Sequence, residues 1–214
     1  MGNIEISGDA AIIYPIQSNE YDQECIDNCL KIAKLNALNK MLYNNCCNAS
    51  CGICDNSISK SVANGYANAD IMLVDAFPSQ YETFTGCFTD EKGYFLESVL
   101  KSSRIKRSDI YCTTVIKCFN IQDTNVAIIN NCIKHYFRKE LDIIKPKKII
   151  FTYSAFQACL KYGIIPHLGS INYFTKTNVQ FDGFSADMYI IYDFKQLSDQ
   201  QKEAFKQGLN YILQ

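Results

Sequence analysis

From Cys25 to Leu42, apolar positions recur at steps of three and four, through Cys29, Ile32, Leu35 and Leu38. That period predicts an amphipathic helix over 21–43, with the small thiols Cys25 and Cys29 on its buried face. Further along, the periodicity gives way to continuous apolar runs. Ile71–Val74, Asp109–Ile116, Lys148–Tyr153 and Met188–Tyr192 predict four buried strands. Helical patterns lie between and after them, over Glu91–Lys101, Ala127–Ile144, Ser154–Tyr162 and Ser198–Leu213. Lys145-Pro146 ends the second of these and Gly163 the third. Asp75–Gly86, which contains Pro78, reads as a loop.

Strands that alternate with helices require crossover connections. The predicted architecture is α/β: three layers, αβα, around a central four-stranded, mostly parallel sheet, with a helical N-terminal arm. Residues 1–45 form the arm and 46–214 the α/β domain. In such sheets ligands bind beyond the carboxyl ends of the strands. The loops after Val74, Ile116, Tyr153 and Tyr192 are therefore where chemistry is expected.

Composition narrows the picture. At 48% hydrophobic residues the chain is not globally disordered. A net charge of −1 supplies no overall attraction to nucleic acid. The basic runs KSSRIKR and KPKK both precede strands, which places them away from the carboxyl-end loops. No apolar run reaches the length of a membrane span, and the start lacks the pattern of a secretion signal. The expectation is a soluble intracellular protein of the cytoplasm or nucleoid. In a reducing compartment, its eleven cysteines favour metal binding over disulfides.

The cysteines are unevenly spread. CCNASCGIC places Cys46, Cys47, Cys51 and Cys54 in one short polar stretch. Cys118 follows the second predicted strand in TTVIKC, and Cys132 lies near the start of a helix. Cys51-x-x-Cys54 with Cys118 and Cys132 makes a set of four thiolates, able to hold zinc or a four-iron cluster. Spacing does not choose between those metals. Cys47 is an alternative first ligand. Cys112 and Cys159 sit in apolar segments and read as core thiols.

From about Cys51 onward, the ordered motifs CGIC, IMLVDAFPSQ, TGCFTDEKGYFLESVL, DIYCTTVIKC and NNCIKHYFRKELDIIKPKKIIFTYSAF resemble the iron–sulfur uracil-DNA glycosylases, families four and five of that superfamily. The resemblance implies a structural [4Fe–4S] cluster on Cys51, Cys54, Cys118 and Cys132. It also implies an excision site with three parts: a carboxylate that positions water, a polar side chain that reads the flipped base, and a donor for the leaving anion.

Those three parts have changed. Ala76 stands where family four has its acid; Asp75 replaces a glycine and Pro78 is kept. Asp90 lies near the acid position of family five, and its plainer role is to cap the following helix. Thr114 takes the place of the base-reading Asn, and Asp193-Phe194 that of a His-Pro pair. Phe88 matches the aromatic that stacks on the base. Candidate catalytic residues are thus Asp90 and Asp75, with Phe88, Thr114 and Pro78 facing the base. The reading is a catalytically impaired [4Fe–4S] protein that binds DNA or a partner complex, with the arm offering a protein contact. Its rivals are an active, diverged DNA glycosylase for uracil or another deaminated base, and a structural subunit of a replication or transcription assembly.

Overall fold

The computed structural model describes residues 2–7, 10–15, 20–44, 60–119, 126–168, 172–194 and 197–214. The chain opens with an antiparallel hairpin, β1 (Gly2–Ser7) and β2 (Ala10–Pro15), and continues into α1 (Glu20–Tyr43). The main sheet is built from β3 (Ile71–Asp75), β4 (Ile110–Thr114), β5 (Lys148–Thr152), β6 (Thr177–Phe181) and β7 (Phe184–Ile191). Between and after these strands run α2 (Glu82–Thr85), α3 (Glu91–Ser103), α4 (Val126–Cys132), α5 (Arg138–Ile144), α6 (Tyr153–Lys161) and α7 (Asp199–Leu213). A π-helical turn, Ile133–Phe137, joins α4 to α5.

Strand order is β4-β3-β5-β7-β6. The first four strands are parallel and β6 is antiparallel to β7. The apolar runs are continuous because each strand is covered on both faces. Met72 and Val74 of β3 enter one core with Phe137, Leu141 and Phe156. Leu73, between them, enters the other with Leu96, Phe205 and Leu209. Three layers follow: α4–α6 on one face, α3 and α7 on the other.

Three expectations are corrected. The sheet has five strands, because β6 joins β7 through the two-residue turn Asp182-Gly183, with Gly183 at φ +81°. Asp-Gly between two strand-like runs is a strong hairpin signal, and it was legible here. The stretch read as a loop, 75–86, contains α2. On α1, Cys25 and Cys29 are exposed rather than buried. That helix packs through its C-terminal half, where Leu38 and Leu42 are buried and the Lys31 ammonium donates to the Ile144 carbonyl at 3.1 Å. Among the described residues, no helix is long and apolar enough to cross a membrane.

Residues 60–65 lie antiparallel along the outer edge of β4, through bridges Lys60–Cys118 and Asn64–Cys112. The Asn64 and Cys112 amides and carbonyls exchange two 2.8 Å hydrogen bonds. Close approach continues at Gly65, whose φ is +141°, and a Cβ there would lie 2.3 Å from the Ile110 carbonyl oxygen. Gly65→Ala therefore meets both strain and backbone. It is expected to cost about 1–3 kcal/mol and to lower the melting temperature by several degrees in calorimetry. An unchanged melting temperature would contradict this packing of the segment on β4.

Candidate functional site

Asp75 ends β3 at the carboxyl edge of the sheet. Its Oδ1 accepts from its neighbour's amide, Ala76 N, at 2.8 Å and from Thr152 Oγ1, at the end of β5, at 3.0 Å. Its Oδ2 accepts from Lys92 Nζ at 2.7 Å. Lys92 reaches back from the first turn of α3 and also donates to Glu82 Oε2 at 2.9 Å. Glu82 opens α2 and is 0% exposed. Its two oxygens accept from the amides of Ser79 and Phe88, each at 2.6 Å. One ammonium thus lies between two carboxylates, and one of those carboxylates organises the loop from Ser79 to Phe88. Burial pulls the Lys92 pKa down; the charges of Asp75 and Glu82 outweigh it and raise the pKa above the usual lysine range.

Phe88 sits in this frame at φ +58°, a conformation that a non-glycine residue rarely adopts. Its ring is 2% exposed. Phe194, from the segment after β7, meets it edge to face with centroids 5.3 Å apart. Lys92 Nζ lies 5.2 Å from the ring centroid. Gly93 lets α3 press against this turn, since a Cβ there would lie 2.2 Å from the Phe88 carbonyl oxygen.

The other candidates occupy defined places. Asp90 caps α3, its carboxylate accepting from the Lys92 amide at 3.1 Å. Thr114 is the register partner of Asp75 on β4, and it is fully buried. Pro78 is buried in the loop after β3. Asp193 accepts from the amide and hydroxyl of Ser154, at 3.0 and 2.8 Å, and so covers the N-terminus of α6 from across the sheet. His135 lies on the π-helical turn and His167 in the loop after α6.

The structure therefore gathers Asp75, Phe88, Asp90 and Thr114 at one end of the sheet, around Lys92. A cleft of 1360 Å³ opens there, lined by Tyr81, Phe84, Asp90, Tyr94, Phe95 and Phe194 among others. Tyr81, Phe84 and Tyr94 stand exposed along it. Sequence reasoning missed Glu82, Lys92 and Thr152, because the three come from separate elements and share no spacing. The one local signal was a glutamate within a run read as loop.

Cys118 and Cys132 are both buried, at 1% and 0% exposure. Cys46, Cys47, Cys51 and Cys54 lie outside the described residues. Lys60 bridges to Cys118. Two buried sulfur donors fit a thiolate-ligated centre. Among the described residues, no cluster of three or more metal-binding side chains forms. Cys87 and Cys112 are fully buried, and burial pushes their thiols up to about 11 and about 12. These are neutral core thiols.

A family model described as the uracil DNA glycosylase superfamily matches residues 62–212. No curated protein matches the chain.

Lys92→Met leaves two carboxylates at the sheet edge without their cation. The loss is expected to be about 3–5 kcal/mol, read by urea denaturation at neutral pH. Because folding raises the lysine pKa, its contribution is complete below the unfolded value and is lost as pH rises through the folded one. The difference between wild type and Lys92→Met should thus be constant through neutral pH and begin to shrink only above pH ~10.5. A difference that vanished below pH 9 would overturn the assignment.

Proposed function

The chain belongs to the uracil-DNA glycosylase superfamily, and from that premise we propose a member that binds rather than excises, with a [4Fe–4S] cluster as its structural support. The closure over Phe88 carries this reading. A flipped base must stack on an open aromatic face, and Phe88 is buried, with Phe194 packed against its ring edge to face and the Lys92 ammonium over it. The rest of the site points the same way. Ala76, at the acid position, is buried and has no carboxylate. Asp75 is held by Lys92 and Thr152. The Asp193 carboxylate, where a donor to the leaving base is needed, is instead bonded to Ser154. An anion there would repel a departing uracil anion.

Cys51, Cys54, Cys118 and Cys132 would hold the cluster, with zinc as the alternative metal. When bound it supplies a cross-link, joining the loop before Lys60 to the end of β4 and to α4. A thiolate-ligated cluster suits a reducing compartment, the cytoplasm or nucleoid. Binding falls to the cleft. Tyr81, Phe84 and Tyr94 offer stacking faces for unpaired nucleobases. The basic residues at the amino ends of the strands take no part, and Lys147 there is paired to Asp70 at 2.9 Å. A protein partner would use the arm, where α1 leaves Ile26 and Leu30 exposed.

One observation favours a second reading. Asp75 keeps 13% side-chain exposure at the sheet's carboxyl edge, so a carboxylate remains where a diverged glycosylase would need one. A glycosylase screen of the iron-loaded protein on uracil, hypoxanthine and xanthine DNA separates the two. No abasic sites are expected. Abasic sites that disappear in Asp75→Ala or Asp90→Ala would replace the binding reading with an enzyme. The same preparation should be brown, with a band near ~400 nm. A colourless, zinc-containing protein would reassign the metal.

A further inference from the structure

We propose that Lys117 is a positioning residue that ties the segment of Cys118 to the helix of Cys132 for the metal centre, a role that rests on the cluster reading above. Lys117 immediately precedes Cys118 and is 1% exposed. Its carbonyl accepts from the Ser61 amide at 2.8 Å. Its ammonium donates to Glu140 Oε2 at 2.7 Å. Glu140 is 2% exposed and lies on α5, in the same helical run as Cys132. One residue thus adjoins Cys118 and grips the helical run that carries Cys132.

The grip is fully furnished. Thr113 Oγ1 donates to the same Glu140 oxygen at 2.7 Å, and Lys117 Nζ lies 2.5 Å from that hydroxyl. Burial, and then the Glu140 charge, raises the Tyr111 pKa well above the usual tyrosine range. A buried ion pair is a poor source of net stability, because desolvation offsets most of its attraction. It does penalise any arrangement in which the two charges separate. The π-helical turn falls between Cys132 and Glu140, and it re-phases the helix there by its wider turn. None of these groups is a ligand in the set of four cysteines. They act through the backbone that presents the thiols.

The test uses the full chain expressed with iron and compares Glu140→Gln, Thr113→Val and Thr113→Ser with wild type. Iron per chain, the band near ~400 nm and the rate of iron loss to a chelator are read beside circular dichroism and melting temperature. Glu140→Gln is expected to fold and to lose iron roughly 10-fold faster, as outer-shell partners of metal ligands do. Thr113→Val should lie between it and wild type, and Thr113→Ser, which keeps the hydroxyl, should match wild type. If Glu140→Gln does not fold, the two Thr113 variants decide the matter. Folded variants that retain iron as wild type does would overturn the role of the pair alone. A wild-type protein that binds no metal would overturn the cluster reading and the role of Lys117 with it.

Discussion

Lys92, placed between Asp75 and Glu82, is the contact on which the carboxyl face of this protein depends. It joins the end of β3, the short helix α2 and the first turn of α3. Glu82 then fixes the amides of Ser79 and Phe88, and Phe88 is held left-handed as a result. The arrangement carries two negative charges and one positive, so it is not neutral by itself. Backbone donors supply what the single ammonium does not. Buried charge held this way costs desolvation, and it selects one loop conformation over its neighbours.

Lys117 and Glu140 repeat the device on the other side of β4. Each buried lysine follows the same logic: a cation from one segment meets a carboxylate from another, and segments far apart in sequence become neighbours. The two differ in what they govern. Around Lys92, the pairing fixes the loop that carries Phe88. Around Lys117, it ties the residue before Cys118 to the helical run that follows Cys132.

The sequence made the layers legible because burial on both faces of a parallel sheet leaves uninterrupted apolar runs. Ile71–Val74 and Lys148–Thr152 needed no partner to be read. The antiparallel strand β6 escaped because TNVQF is half polar, as an edge strand is, although Asp182-Gly183 announced its turn. On α1, a three-and-four period was read as a full-length buried stripe, whereas the helix buries Leu38 and Leu42 and leaves Cys25 and Cys29 exposed. Periodicity reports which face is apolar; it does not report how far along the helix a partner extends. Asp75, Phe88 and Thr114 were named by their order among motifs, and the structure places them at the same end of the sheet. Lys92 and Glu82 were not named, because a long-range ion pair leaves no trace in local spacing. The helix-capping role of Asp90 was legible, since an acidic residue just before a helical pattern has few other local uses.

Asp193 carries a further consequence. The N-terminus of α6 is a place where an external anion, a phosphate for example, would bind to free amides. Here the Asp193 carboxylate already bonds to the Ser154 amide and hydroxyl, delivered by the segment after β7. It behaves as a tethered competitor, and short tethers give effective concentrations of about the millimolar range. An external anion at Ser154 would have to displace it. The chain's own carboxylate thus takes the place at this helix terminus that such an anion would otherwise have.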